Sequence, residues 1–180
     1  LKLIIEAKFG NTLESLIATH ISGPLALDKT HYGGKETTIA QRSTHYYIRD
    51  GETVTDNGVP IFAPTMFAAT GLNANLHDVS TWFSALVKGE FFPQAYLTKM
   101  WQPFYLNNGL KGDYHHGWQY LREGETTVVG HYGGNIINIR HFYTGEAAEK
   151  GVTIIHLTNG GFGPDFNPFD FSYALATSVQ

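Results

Sequence analysis

The hydrophobic period of this chain changes near residue 115, and that change constrains its fold more than any other feature. From there on, His116–Leu121, Thr126–His131, Asn135–Tyr143 and Val152–Thr158 are rich in β-branched and aromatic residues and read as strands. Their separators are short: Arg122-Glu123-Gly124-Glu125, Gly133-Gly134, and Thr144–Gly151. Connections of this length join antiparallel neighbours, because a parallel return needs a dozen or more residues. An antiparallel meander of about four strands is therefore expected. Asn159-Gly160-Gly161 ends it, and Phe169–Val179 reads as a closing helix.

The first part of the chain follows a helical period. Leu1, Leu3, Ile4, Ile5, Leu13, Leu16, Ile17 and Ile21 recur at helical spacing, broken at Gly10-Asn11, so residues 1–31 read as helix, turn, helix. Residues 32–67 are polar and irregular, with Tyr46, Tyr47 and Ile48 the one compact strand-like run. Asn75-Leu76-His77-Asp78 resembles a capping box with Asp in place of Glu. Val79, Trp82, Phe83 and Leu86 then lie at i, i+3, i+4 and i+7 before Gly89. Pro93, Leu97, Met100 and Trp101 suggest a further short helix. The expected class is α+β: residues 1–110 form a helical portion with an irregular insertion at 32–67, and residues 111–180 form the sheet with its closing helix. Leu1 lies inside an apolar run with no cap and no signal-peptide pattern before it, so the chain reads as a piece of a larger catalytic unit whose N-terminal part is missing.

Composition removes several functions. With 12 basic and 16 acidic side chains the formal charge is -4, which gives no electrostatic footprint for nucleic acid. No apolar run approaches the roughly 20 residues of a membrane span. Cysteine is absent, which excludes disulfides, thiolate metal sites and a cysteine nucleophile.

Five blocks, in order along the chain, resemble the serine β-lactamase and penicillin-binding-protein superfamily, nearest its class C β-lactamase, D-alanyl-D-alanine carboxypeptidase and esterase group. They are Ile4-Ile5-Glu6 through Gly10, Ile21 and Pro24-Leu25 to Thr30; Ala68-Ala69-Thr70-Gly71-Leu72 with His77-Asp78; Gly117-Trp118; Gly130-His131-Tyr132-Gly133-Gly134; and Leu157-Thr158-Asn159-Gly160. Ala26-Leu27 stands where the family has Gly-Met. His131-Tyr132-Gly133 is similar to the family's third motif, Lys/His-Thr/x-Gly, on the strand that lines the active site. The resemblance implies a β-lactamase/transpeptidase-like fold and acyl transfer through a serine. His131 would hold a polar or anionic group of the substrate, Gly133 would leave room, Tyr132 would line the site, and the N–H of Gly134 would be an oxyanion donor. Tyr132 replaces the commoner Thr, which tilts the expectation from antibiotic carboxylates toward peptidase or esterase action. Small peptides, β-lactams or esters are the implied substrates, with no metal or organic cofactor and a periplasmic or extracellular location.

The family's nucleophile motif, Ser-x-x-Lys, does not occur in these 180 residues; Ser84 and Lys88 are one residue too far apart. Tyr-x-Asn, the second motif, occurs literally at Tyr105-Leu106-Asn107, but the family places it before the block at Leu1. The chain alone is therefore expected to be inactive. A non-catalytic binding module on the same fold is the competing expectation, and a metal-binding β domain is a weaker one.

That weaker reading would use His115, His116, His131, His141 and His156. On an extended strand His115 and His116 point to opposite faces, so satisfied, scattered histidines are the simpler account. His131 also has a plain reading as a strand histidine near a hairpin turn at Gly133-Gly134. Trp82, Phe83, Leu86 and Trp101 read as core. Tyr46 and Tyr47 read as edge-strand packing or a cleft lining. Phe162, Phe166, Phe169 and Phe171 read as packing of the closing helix, or, if exposed, as a partner surface. Glu146, Glu149 and Lys150 read as a solvated turn.

Overall fold

A computed structural model describes residues 1–32, 40–56, 66–134, 136–145, 148–160 and 165–179. These fall into two units, Leu1–His45 with Val54–Ser84, and Tyr46–Thr53 with Ala85–Gln180. Phe162 and Glu146 lie outside the described residues, as does much of 32–67.

In the first unit, α1 (Lys2–Phe9) stops at Gly10, whose φ of 68° lets its N–H return to the Glu6 carbonyl. Thr12 caps α2 (Leu13–Ile17) by accepting the Ser15 N–H at 3.2 Å. The two helices are tied by Lys2, which lies 3.5 Å from Glu6 and 3.1 Å from Glu14. The helix–turn–helix expectation holds, with one addition: α2 runs into a π-helical turn, Ala18–Ser22, closed by Gly23 N–H donating to the Ala18 carbonyl at 2.8 Å. A short β1 (His31–Tyr32) pairs with β4 (Leu72–Asn73), which follows α3 (Phe67–Thr70).

Residues 45–56, expected to be largely irregular, form a hairpin of β2 (His45–Arg49) and β3 (Glu52–Asp56). Asp50 and Gly51 connect them with φ of 53° and 82°, both signs that a type I′ turn requires.

At the start of α4 (Leu76–Val87), Asn75 Oδ1 accepts the Asp78 N–H at 2.8 Å. The second half of the capping box does not form. Asp78 Oδ2 instead accepts the Lys29 N–H at 2.9 Å and the Thr30 hydroxyl at 2.8 Å, pinning the segment before β1 to this helix. An Asp is one methylene shorter than the Glu of a true box, which leaves its carboxylate free for this distant task.

The second unit is built on one antiparallel sheet. After α5 (Gln94–Met100) and a small hairpin of β5 (Phe104–Tyr105) with β6 (Lys111–Gly112) come β7 (Tyr114–His115), β8 (Trp118–Glu123), β9 (Thr126–Gly133), β10 (Ile137–Thr144) and β11 (Val152–Leu157). Their order among the described residues is β11-β10-β9-β8-β7, the expected meander plus one short edge strand. The closing helix α6 (Pro168–Ser178) starts one residue before the expected Phe169, with Asn167 Oδ1 accepting the Phe169 and Asp170 N–H groups at 2.9 and 3.4 Å.

Strand alternation divides the core between two faces. Val128 and Phe142, opposite each other in the register, pack with Ala176 and Tyr173 of α6 and with Val152, Ile154 and Phe169. On the other face Trp101, 2% exposed, contacts Trp118, His141 and Tyr143, with ring centroids 5.6–5.9 Å apart. Trp101, Phe83 and Leu86 are buried and Trp82 is half-buried. Of the terminal aromatics, Phe169 packs inward, while Phe166 and Phe171 stay exposed beside His156. Among the described residues no helix is long and apolar enough to cross a membrane.

The tightest backbone approach lies at Gly130. A Cβ there would run into the Ile139 carbonyl oxygen and come within 3.1 Å of the Arg140 Cα. Gly130→Ala is expected to lower stability by about 2–3 kcal/mol, the cost of overpacking against backbone that cannot rotate away. Gly160→Ala, where a Cβ meets nothing within 4 Å, should cost only a few tenths of a kcal/mol. Urea unfolding of both variants checks the pair, and equal midpoints contradict the expectation.

Candidate functional site

The site grows from a mismatch in strand length. β8 pairs with β9 from Glu123↔Thr126 to Gln119↔Gly130. Beyond Trp118 the chain turns back through His116 and Gly117, with φ of 49° and 88°, into β7, where His115 faces Trp118. β9 does not stop at Gly130. His131, Tyr132 and Gly133 continue and pair with β10 through Ile139, Asn138 and Ile137. In the described ladders the last three residues of β9 thus have a strand on one side and an open edge on the other.

Gly134 follows at φ +54°, and the Ile136 N–H donates to the Gly133 carbonyl at 3.1 Å as the hairpin closes. A Cβ on Gly133 would meet nothing within 4 Å, and one on Gly134 only Ile136 Cγ1 at 3.6 Å. The ledge is therefore open above the main chain. An exposed strand edge offers main-chain donors and acceptors to an extended partner, and two glycines let that partner approach closely.

Two sets of aromatic side chains lie on this part of the sheet, one on the ledge and one on β7 and the turn after it. His131 and Tyr132 are exposed, with rings 6.1 Å apart, and Tyr114 meets His131 edge-on at 5.5 Å. Phe104 stacks on His115 at 5.7 Å, and the His115 and His116 rings are 3.9 Å apart. That last distance corrects the expectation that His115 and His116 point to opposite faces. His116 is not a strand residue; it is the first residue of a two-residue turn in the left-handed region, which folds its ring back beside His115.

Below the ledge lies a buried polar chain. Arg140, opposite Gly130, reaches across the missing side chain and donates to Gln119 Oε1 at 2.7 Å and to Asn138 Oδ1 at 3.0 Å. Asn138, wholly buried, donates to Ser172 Oγ at 3.0 Å and to the Pro168 carbonyl at 3.2 Å. The Ser172 hydroxyl donates to Pro168 at 2.7 Å, which leaves its oxygen to accept from His156 Nε2 at 3.1 Å. Among the described residues no carboxylate pairs with Arg140; its guanidinium rests over the Phe169 ring at 5.5 Å, and burial lowers its pKa from the ordinary value. The network links β8, β10, β11 and α6 at the level of the ledge.

His141 supports the other face. Fully buried, it sits between Thr153 Oγ1, 2.8 Å from Nδ1, and the Ala148 carbonyl, 2.8 Å from Nε2. The arrangement suits a neutral ring with its proton on Nε2 and the threonine hydroxyl donating to Nδ1. Burial pushes its pKa down to about 4, opposed by the bond to Ala148.

The literal Tyr105-Leu106-Asn107 lies at the start of the β5–β6 turn, where the Leu106 N–H donates to the Leu110 carbonyl at 2.8 Å and Asn108 Oδ1 accepts the Leu110 N–H at 3.1 Å. A hairpin turn accounts for those residues. Of the five histidines considered as ligands, the buried His141 and the half-buried His156 are hydrogen-bonded, His131 meets Tyr114, and His115 lies against His116. Among the described residues no three His, Cys, Asp or Glu side chains are placed to hold a metal ion. Sequence reasoning singled out His131–Gly134 and weighed His116 only as a metal ligand, but missed Tyr114 and Arg140. The His-Gly pair before a strand was a usable turn signal for His116; Arg140 gave none.

Comparison with known proteins places this architecture. The sequence profile of the Beta-lactamase family matches residues 1–178. No curated protein matches the chain. Among solved structures, a D-stereospecific amidohydrolase from Streptomyces sp. superposes with a TM-score of 0.70 at 18% identity, over 99% of this chain and 52% of its own. The D-amino acid amidase from Ochrobactrum anthropi SV3, complexed with D-phenylalanine, gives 0.69 at 20% identity, over 99% of this chain and 56% of its own. An octameric penicillin-binding protein homologue from Pyrococcus abyssi gives 0.69 at 20%, over 99% and 40%. These identities establish a shared fold, and the chain spans about half the length of the first two structures.

The buried imidazole predicts a pH dependence. A ring with a folded pKa near 4 and an ordinary value of 6.5 stays neutral in the fold but binds a proton in the unfolded chain. Its stabilisation is complete above pH 6.5 and is lost as pH falls from 6.5 to 4, in total about 3 kcal/mol. Urea unfolding at pH 7, 5.5 and 4 should show this loss in the parent and a flatter profile in His141→Gln. Parallel profiles would contradict it.

Proposed function

Because the chain belongs to the Beta-lactamase family, we propose that it forms the substrate-binding half of a serine hydrolase that cleaves an amide or ester, with D-amino-acid amides and peptides as its substrate class. The observation that carries this reading is the open edge of β9 at His131–Gly133, paired on its other side with β10 and followed by an unobstructed Gly134. The amidohydrolase and amidase among its structural neighbours support the choice of an amide.

In the proposed reaction a serine oxygen attacks the scissile carbonyl, and the Gly134 N–H donates to the oxyanion that develops. His131 holds a polar group of the substrate, Gly133 leaves room for its main chain, and Tyr132 lines the ledge. The C–N or C–O bond then breaks, the leaving group departs with a proton, and water hydrolyses the acyl-serine to a carboxylic acid. The serine and its lysine, absent as Ser-x-x-Lys from these 180 residues, are supplied by an N-terminal part of the same protein, without which the chain is inactive. The location proposed with this reading is periplasmic or extracellular.

A fluorophosphonate or penicillin probe should label the full-length protein at one serine, read as a single mass increment. His131→Ala should lower kcat/KM for an amide substrate by about 10²-fold, the scale on which a positioned polar group acts in such transition states. No labelling of a folded, full-length protein overturns the hydrolase reading in favour of a binding module on the same fold.

A further inference from the structure

Arg140 is 7% exposed and has no opposite charge beside it among the described residues, and we infer that its guanidinium holds a carboxylate on the α6 face of the sheet. The site is separate from the acyl-transfer chemistry and stands whether or not the complete protein is a hydrolase.

An arginine is almost never buried without an anion to pair with. Its guanidinium carries five N–H donors and a charge that must both be accommodated. Here Nε donates to Asn138 Oδ1 at 3.0 Å and Nη2 to Gln119 Oε1 at 2.7 Å, while Nη1 meets no acceptor among the described residues. Both acceptors are neutral amides, and the Phe169 ring 5.5 Å from Cζ offers only its quadrupole. Some donors are therefore matched and the charge is not. Nη1 is also not sealed from the surface, so an anion can reach it.

Strand register places the site. Arg140 lies opposite Gly130 and Asn138 opposite Tyr132, whereas His131 lies opposite Ile139. Alternation puts Arg140, Asn138 and Tyr132 on the face that carries α6, and His131 on the other. The exposed Tyr132 is near the charge: burial lowers the Arg140 pKa, and Tyr132 opposes that shift. With a carboxylate in place, Arg140 is held between the residues opposite Gly130 and Tyr132, which steadies the strand that carries the ledge.

The chemistry of the occupant follows from the donors. A planar fork with open N–H groups matches the two oxygens of a carboxylate. The network beneath it contains Asn138, Gln119, Ser172 and His156, with no second permanent cation among the described residues. Burial lowers the His156 pKa and keeps that ring neutral. One negative charge is therefore balanced here, and a phosphate dianion is not. Two sources supply a carboxylate: an Asp or Glu from the rest of the protein, or a free solute.

Two measurements on the full-length protein test the site. Crystals grown without carboxylate, and the same crystals soaked in sodium acetate, show what meets Arg140 Nη1. A side-chain carboxylate within hydrogen-bond distance in both assigns the site to the protein itself; acetate present after the soak alone assigns it to a solute. The Arg140 side-chain N–H signals are then followed by NMR in solution. With a free solute, sodium acetate should shift them saturably and bind about tenfold more tightly than sodium chloride. With an internal partner, acetate should leave them unmoved, and replacing that Asp or Glu by its amide should shift them. Water alone at Nη1 in both crystals overturns the site. So does acetate seen in the crystal without a shift in solution, which is binding at crystal concentration only. Equal responses to acetate and chloride, or signals unchanged by the amide substitution, also overturn it.

Discussion

The close approach of β9 and β10 at Gly130 is the contact on which the rest of the sheet depends. Ordinary cross-strand neighbours carry side chains on both strands; here one is missing, and a Cβ would collide with the Ile139 carbonyl. The vacancy admits Arg140, which reaches over Gly130 to Gln119 on the next strand. A buried cation is costly unless its donors are matched. Two amide oxygens and an aromatic face do this without a carboxylate partner among the described residues. Through Asn138 and Ser172 the same network reaches α6, so one glycine coordinates three strands and the closing helix.

Strand length then turns this rigid centre into a ledge. β8 begins at Trp118, one residue before its pair with Gly130, directly after the two-residue turn at His116-Gly117. Exposed edges invite unwanted pairing and are usually blunted by charge, proline or bulges. Here glycine at two successive positions and a group of exposed rings stand instead, and no acidic or proline residue interrupts His131–Gly134. An edge kept open in this way suits recognition of an extended ligand. At 18–20% identity the D-stereospecific amidohydrolase and the D-amino acid amidase share this fold.

The parts of the fold written in local pattern were legible in the sequence. The four main strands, the closing helix and the glycine stops at Gly10 and Gly89 rest on periodicity and on turn chemistry within a few residues. Some features were local yet overlooked, such as Asp50-Gly51, whose type I′ signal marks the β2–β3 hairpin inside a stretch taken for irregular. Asp78 shows the opposite limit: its position at a helix start was readable, but its bond to Lys29, 49 residues away, was not. The site divides the same way. His131–Gly134 emerged from a motif resemblance. Tyr114, Gln119 and Arg140 depend on cross-strand register, and a one-residue slip would have put each of them on the opposite face.

The most direct test of the account is where an extended amide docks on the folded protein. Backbone amide NMR of the full-length protein titrated with a capped D-amino-acid dipeptide reports this residue by residue. The account predicts shifts and slowed hydrogen exchange centred on His131–Gly134, with the far edge of the sheet, Val152–Leu157, unchanged. Perturbation centred on Val152–Leu157, or none at His131–Gly134 under saturating ligand, contradicts it.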